Sequence, residues 1–417
     1  MKKTIIAGIA CLGLLSACSN EADIPEYDDI KTNPVKAIWP DRPLKAIGTN
    51  NALKANEFAT ELFRKAYAKE RGNTCISPAS VFLTLAMTAN ADDGECRDEI
   101  LDILGYDTGE TGLNELNAYS NALLVEVPDF NGDTQCGFTN SLWHSPYFNL
   151  LPSFTDNLKE IFGAADVEIW LGDEKGRNAI NQFVEENTRG MIKEFLKVPL
   201  QTDLGILNTT YFKGTWKQKF DEKHTSKGNF QNLDGSSSRT NFMTLTDMME
   251  YSYSDYATSV RLPYAGERYT MTLIMPDEDI EFNDMLRDLD GKHINDVTSR
   301  SRVGKVELKL PRFQQESNSN IIRILKEMGL DRTCFPGIMK ATGSPLELQT
   351  FQHAVKIIVN EKGTEGGAAS LGGFYGTSLP NPEAMPAEHI SFDRPFIYMI
   401  QDNISGTVLF MGAVTSL

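Results

Sequence analysis

The residues that most often carry chemistry are scattered along this 417-residue sequence. The five histidines, His144, His224, His293, His353 and His389, stand far apart, and none falls at metal-ligand spacing. No GxSxG elbow, HExxH helix or phosphate-binding glycine loop occurs. None of the six cysteines forms a CxxC pair, which indicates neither a disulfide framework nor a zinc motif. A triad assembled from distant residues would escape a reading by spacing, but nothing points to one, and the expectation is a chain that is not an enzyme and holds no metal or cofactor. The stretch with a pattern of its own is Gly363 to Gly376, GTEGGAASLGGFYG. Between two strand-like runs such a stretch is by default a flexible surface loop. Its parity says more. Continued as a strand, it puts Thr364, Gly366, Ala368, Ser370 and Gly372 on one face, all small and uncharged. The other face receives Glu365, Gly367, Ala369, Leu371 and Gly373, with the only charge. The chemistry this suits is insertion: a loop that slides between two packed strands with its small face inward and its glutamate in water.

The flanking elements are legible from period and punctuation. Leu53, Phe58, Leu62, Phe63, Ala66 and Tyr67 recur at three- and four-residue steps and predict an amphipathic helix ending before Gly72. Ser77-Pro78 opens a second helix, serine as cap and proline in the first turn, whose run Val81, Leu83, Leu85, Ala86, Met87 reads as wholly buried. Further helices are predicted over Asp98–Leu104, Ser153–Phe162, Asn178–Thr188 and Ser319–Met328. Strands are predicted over Ser259–Leu262, Tyr269–Met275, Gly304–Leu310, Val355–Val359, Phe396–Ile400 and Val408–Met411, β-branched or aromatic runs broken by Gly, Pro and Asp clusters. Helices first and strands later, in irregular order and without repeats, predict an α+β body.

Composition and the N-terminal segment bound the setting. Forty Lys and Arg against 57 Asp and Glu give a net charge of −17, which argues against nucleic acid and makes heparin an improbable partner. At 41% hydrophobic and 23% charged residues the chain is ordinary globular material. Lys2 and Lys3 precede the apolar run Ile5 to Leu15, too short for a bilayer span, so the segment reads as a secretion signal. Its end, Leu15-Ser16-Ala17-Cys18, resembles the bacterial lipobox, which implies cleavage before Cys18 and a lipid on that residue. Membrane contact would then run only through the lipid anchor. Residues 19–45 are polar and acidic and carry Pro25, Pro34, Pro40 and Pro43, which suits an extended tether. Glu21 and Asp23 resemble the surface-export signals of some Bacteroidetes lipoproteins, and the expected location is the outer membrane, facing the periplasm or the cell surface. Cys75, Cys96, Cys136 and Cys334 remain, most of them expected to be buried small hydrophobes.

From about Lys45 to the C-terminus the sequence resembles the serpin family. Asn360 to Ser370, NEKGTEGGAAS, matches the family's proximal hinge, a Glu-x-Gly-Thr-Glu followed by small residues. FDRPFIYMI (Phe392 to Ile400) and Leu409 to Val414 match its C-terminal strands. Asn208 to Trp216 matches the sheet-opening region, and Asn73, Ile76, Ser77, Pro78 and Ser80 match the entry to a buried helix. The resemblance implies one domain over residues 46–417, with helices around three β-sheets and an exposed reactive loop, about 361–391, able to insert into the central sheet. It implies an inhibitor that works by conformational trapping. A target serine protease, or a papain-like cysteine protease, cuts the loop and forms its acyl-enzyme. The freed hinge, Glu361, Gly363, Thr364, Glu365, Gly366, Gly367, Ala368, Ala369 and Ser370, then enters the sheet before that bond is hydrolysed.

Residue by residue, Ser77, Ser80, Asn208 and His353 fall on the family's shutter, a polar cluster under the central sheet, where helix caps and a satisfied core histidine are the plainer reading. Trp216, Arg312 and Glu361 fall on the breach, where the loop first enters, with an ion pair expected between Arg312 and Glu361. Sixteen residues beyond Glu361 the expected cut is Thr377–Ser378, whereas counting back from Phe392 gives Ala384, so this loop is longer than usual. Thr377 would suit an elastase-like pocket; Phe374, Tyr375 or Met385 would suit a chymotrypsin-like one. No Arg or Lys lies between Glu365 and Glu388, which disfavours trypsin-like targets. One departure weighs the other way: Gly366, Gly367, Gly372 and Gly373 stand where inhibitory members favour alanine, each costing roughly 0.5–1 kcal/mol in a strand. A non-inhibitory serpin, cleaved as a substrate or acting as a binding module, is the alternative, and a solute-binding lipoprotein of another fold is a more distant one.

Overall fold

The apolar runs of the second half sort by period into two kinds of strand. Tyr269–Pro276 (β8), Phe396–Asp402 (β16) and Val408–Val414 (β17) are buried at every residue, as strands covered on both faces must be. Gln352–Asn360 (β13) alternates instead, with His353, Val355, Ile357 and Val359 buried and the residues between them half-exposed. In the computed structural model the described residues are 49–91, 94–130, 132–148, 150–294, 301–331, 334–335, 346–364 and 386–417. All of them belong to one compact unit.

The fully buried strands lie in a nine-stranded sheet. With Thr74–Ile76 (β1), Ser226–Gln231 (β5), Ser237–Tyr253 (β6), Ala257–Pro263 (β7), Arg302–Pro311 (β9) and Glu388–Ser391 (β15), its order is β1-β17-β16-β8-β7-β6-β9-β15, and β5 pairs on β6. The 17-residue β6 joins two layers: it pairs with β5 and β9 along most of its length and with β7 at its end. The second sheet contains Gln135–His144 (β2), Ala165–Glu168 (β3), Leu204–Thr215 (β4), Phe313–Asn320 (β10) and Gly363–Thr364 (β14), in the order β10-β13-β14-β4-β2-β3. Cys334–Phe335 (β11) and Leu346–Glu347 (β12) form a separate pair.

Eight helices are described. They are Thr49–Glu70 (α1), Pro78–Ala89 (α2), Glu95–Ile103 (α3), Gly109–Glu126 (α4), Pro152–Phe162 (α5), Glu174–Asn187 (α6), Phe282–Asp288 (α7) and Ile322–Glu327 (α8). α2 is the keystone. Ser77 caps it by accepting from the Ser80 N–H, Pro78 occupies its first turn, and all of its residues but Thr84 are buried. It lies against β4 of one sheet and β17 of the other, so its Val81, Phe82, Leu83, Leu85 and Met87 fill the space between them, each worth about 1.5–3 kcal/mol of burial. Among the described residues no helix is long and apolar enough to cross a membrane.

Two sequence expectations are corrected here. The helix expected from Ser319 starts at Ile322, because Ser319 and Asn320 end strand β10 and the Asn320 side chain accepts from the Ile322 N–H at 3.1 Å. The helix expected from Asn178 starts at Glu174, where Asp173 is the cap and accepts from the Gly176 N–H.

Candidate functional site

The six-stranded sheet is closed at one end by the beginning of the glycine-rich stretch. Gly363 and Thr364 form β14, antiparallel to both neighbours: Val359 and Asn360 pair with them from β13, Thr215 and Gly214 from β4. Glycines are required at this crossing. A Cβ on Gly363, at φ +148°, would lie 1.9 Å from the Gly214 carbonyl oxygen, and a Cβ on Gly214 would lie 2.3 Å from the Tyr264 ring. Tyr264 stacks on Trp216 with ring centroids 4.6 Å apart, and its hydroxyl shares a 2.7 Å hydrogen bond with the Thr364 hydroxyl, both groups buried. Trp216 Nε1 donates to the Asn360 carbonyl at 2.8 Å, and the Trp216 and Phe220 amides donate to the carbonyls of Lys362 and Glu361.

Glu361 anchors this end electrostatically. Its side chain is 5% exposed and accepts from Arg312 Nε at 2.7 Å and from the Thr225 hydroxyl, while Arg312 itself is 41% exposed. Burial works to raise the Glu361 carboxyl, but the hydrogen bonds from Arg312 and Thr225 outweigh it and hold the group below the usual carboxylate range.

Below Thr364, β4 and β13 face each other without pairing: among the described residues each has a partner on its far side only, β2 and β10 respectively. A cavity of about 170 Å³ runs between these edges, with α2 beneath. The polar cluster lies in its wall. The Ser77 N–H donates to His353 Nε2 at 3.1 Å, the Ser77 hydroxyl to the Leu409 carbonyl at 2.9 Å, and the Ser80 hydroxyl to the Asn208 carbonyl at 3.4 Å. Asn208 Nδ2 donates to Asn140 at 2.7 Å, and Asn140 in turn to the Phe162 carbonyl at 2.8 Å. Since His353 Nε2 accepts, the ring is neutral, and burial pushes its pKa down to about 4.

The structure thus brings together two groups that the sequence reading singled out: Ser77, Ser80, Asn208 and His353 in one cluster, and Trp216, Arg312, Glu361, Gly363 and Thr364 in another. It also narrows the loop, since Glu361 to Thr364 are held within the sheet end and Glu388 to Ser391 form β15. Tyr264, Thr225 and Asn140 were missed, and Gly214 was read only as part of the Asn208 to Trp216 stretch. Tyr264 opens the turn Tyr264-Ala265-Gly266-Glu267 and Asn140 sits in a strand rich in polar residues, so neither carries a periodic signal. Cys18, the tether, Glu365, Gly366, Gly367, Ala368, Ala369, Ser370, Tyr375, Thr377, Ser378, Ala384 and Met385 lie outside the described residues. Cys75, Cys96 and Cys136 are buried.

A sheet whose opening is lined by a polar cluster on one buried helix, with a small-residue hinge seated at its top, defines a class of protein. The serpin (serine protease inhibitor) family model matches residues 53–417. This chain belongs to the serpin family. Serpin-ZX of Arabidopsis thaliana is 29% identical over 368 residues, covering 83% of this chain and 92% of that protein. The leukocyte elastase inhibitor of Sus scrofa is 28% identical, covering 86% of this chain and 97% of the relative. The thermophilic serpin Tengpin in its native state superposes with a TM-score of 0.80 at 25% identity, covering 94% of this chain and 99% of that one.

Proposed function

We propose that this serpin is a suicide-type inhibitor of elastase-like or chymotrypsin-like serine proteases, trapping the acyl-enzyme when residues 365–374 add to the central sheet between β4 and β13. The observation that carries this reading is the seating of β14. Thr364 already pairs with both flanking strands, the facing edges beneath it pair with no described residue, and the inward positions that follow, Gly366, Ala368, Ser370 and Gly372, are small, with Phe374 the first large side chain on that face. Cleavage would release the distal end, and strand addition would proceed downward.

The register of β14 bears on the cut site. Thr364 faces Gly214, so each residue further along the loop faces one residue further back on β4, and Leu204, the first residue of β4, faces position 374. A cut at Thr377–Ser378 leaves three residues beyond that end, which holds the acyl-enzyme close against the far pole. A cut after Ala384 leaves ten, a slack of about 33 Å at 3.3 Å per residue, and the protease would hang free. Thr377–Ser378 is therefore the favoured bond, with Tyr375 compatible and Ala384 or Met385 disfavoured. A lipidated Cys18, supported by the lipobox-like Leu15-Ser16-Ala17-Cys18 after the apolar run, would anchor the mature chain on the outer membrane.

The alternative, a serpin that is cleaved without trapping, draws on Gly366, Gly367, Gly372 and Gly373, which together weaken an inserted strand by about 2–4 kcal/mol against alanine. Incubation with a pancreatic-type elastase decides between them. An inhibitor forms an SDS-resistant covalent complex, releases a peptide beginning at Ser378, and gains heat stability on loop cleavage; a substrate serpin is cut and gains neither complex nor stability.

A further inference from the structure

The chain between α6 and β4 crosses the outer face of the central sheet, over the cavity between β4 and β13. Ile192, Phe195, Leu196 and Leu200 from this crossing line that cavity, and Phe195 and Leu196 are 9% and 4% exposed. The crossing is fastened on both sides. On α6, Asn181 Nδ2 donates to the Leu196 carbonyl at 2.8 Å and its Oδ1 accepts from the Leu196 N–H at 2.7 Å. On β10, Asn318 Nδ2 donates to the carbonyls of Glu194 at 2.9 Å and Phe195 at 3.1 Å. The crossing is therefore a fixed apolar roof, and it faces the outward side of any strand added beneath it.

That outward side is defined by residues in place. Thr364 points inward to Tyr264, as do Phe212 and Asn208 on the same face of β4. The alternate β4 residues Leu207, Thr209 and Tyr211 point the other way, and Arg189 at the end of α6 covers the Tyr211 ring at 5.1 Å. Extending the β14 register sets residue 371 opposite Leu207 on β4 and Gln352 on β13, facing outward. The fastening point lies next to this level, since Asn318 pairs with Ala354, whose opposite position on the added strand is 369. On the outward face the sequence offers Glu365, Gly367, Ala369, Leu371 and Gly373, so Leu371 alone has a large apolar side chain, and it arrives where the roof is apolar.

We propose that the underside of this roof is a docking pocket for Leu371, which makes Leu371 the residue that locks the inserted strand rather than one the protease reads. The inference rests on the insertion reading above. In this scheme Leu371 reaches the roof only after cleavage, so its replacement is expected to leave the stability of the uncut chain unchanged.

Leu371→Asn, Leu371→Ile and the unmodified chain are compared uncut and after elastase cleavage, by guanidinium unfolding midpoint and by chains consumed per protease trapped. The uncut forms are expected to share one midpoint. The cleaved Leu371→Asn form is expected to unfold at clearly lower denaturant, with consumption per trapped protease rising about ten-fold, and Leu371→Ile is expected to restore both. Equal midpoints for cleaved Leu371→Asn and cleaved unmodified chain, with both raised above the uncut form, overturn the docking pocket and leave the insertion reading standing. An unmodified chain that gains nothing on cleavage overturns both.

Discussion

Replacing Thr364 by arginine tests the insertion geometry most directly. The Thr364 side chain is 1% exposed, its hydroxyl is 2.7 Å from the Tyr264 hydroxyl, and the ring it touches is stacked under Trp216. A guanidinium there would be buried against the Tyr264 ring, and an uncompensated buried charge costs about 3–5 kcal/mol. At 1.36 kcal/mol per factor of ten, seating the hinge slows from about a hundred-fold to several thousand-fold, and hydrolysis of the acyl-enzyme wins the race. Thr364→Arg is therefore expected to be cut as a substrate. The same change at Glu365 points outward, to the level of Lys213, a half-exposed residue of β4. A like-charge pair there costs about 0.2–1 kcal/mol, less than ten-fold in rate. Thr364→Val is intermediate, because it keeps the shape but leaves the Tyr264 hydroxyl without its partner, at about 1–3 kcal/mol. The assay is densitometry of SDS-resistant complex against cleaved chain over a series of protease ratios. Equal loss of complex for the two arginine variants would refute the assignment of faces.

Three further outcomes follow from the geometry. Arg312→Ala leaves the buried Glu361 carboxylate with Thr225 as its remaining side-chain partner and is expected to cost about 1–3 kcal/mol, read as a lower melting temperature of the uncut chain, with Glu361→Gln in the same background recovering part of it. Burial holds His353 at about 4 against its usual 6.5, so both states are neutral above pH 6.5, and between 6.5 and about 4 the unfolded chain binds a proton that the folded one refuses. Stability is accordingly full above pH 6.5 and falls by about 3 kcal/mol as the pH drops to about 4; urea midpoints at pH 7 and 4.5 should differ more for the unmodified chain than for His353→Gln. Gly363→Ala places a Cβ 1.9 Å from the Gly214 oxygen and is expected to unseat β14 at about 2 kcal/mol or more, seen as faster hydrogen exchange at the Trp216 amide, which donates to the Lys362 carbonyl.

The sequence was most readable where one element satisfies its own physics. α2 announces itself because Ser77, Pro78 and an unbroken apolar run agree, and β13 because its alternation matches a sheet with one buried face. α4 was missed: Gly109 and Gly112 at its start and asparagines at 114, 117 and 121 weaken its helical signal, and it is held by packing and by the paired amides of Asn90 and Asn117. The helix start at Ile322 was misplaced because the expected helix began at Ser319, whereas Ser319 and Asn320 are held in β10, and the Asn320 side chain accepts both from the Ile322 N–H and from the Phe351 N–H, a contact 31 residues away. The site divides in the same manner. Glu361, Gly363, Thr364 and Arg312 were singled out through family motifs, and the structure brings them together, but Tyr264, which receives Thr364, lies about a hundred residues from it, and no local pattern links the two.

The two seated residues of β14 also bear on kinetics. Adding a strand to a sheet resembles zippering, in which capturing the first pair is slow because a long chain must be closed into a loop, and each later pair is cheap. Here the first teeth are engaged while the chain is intact, so under the proposed mechanism nucleation would precede the protease's attack and only propagation would remain to be timed against deacylation.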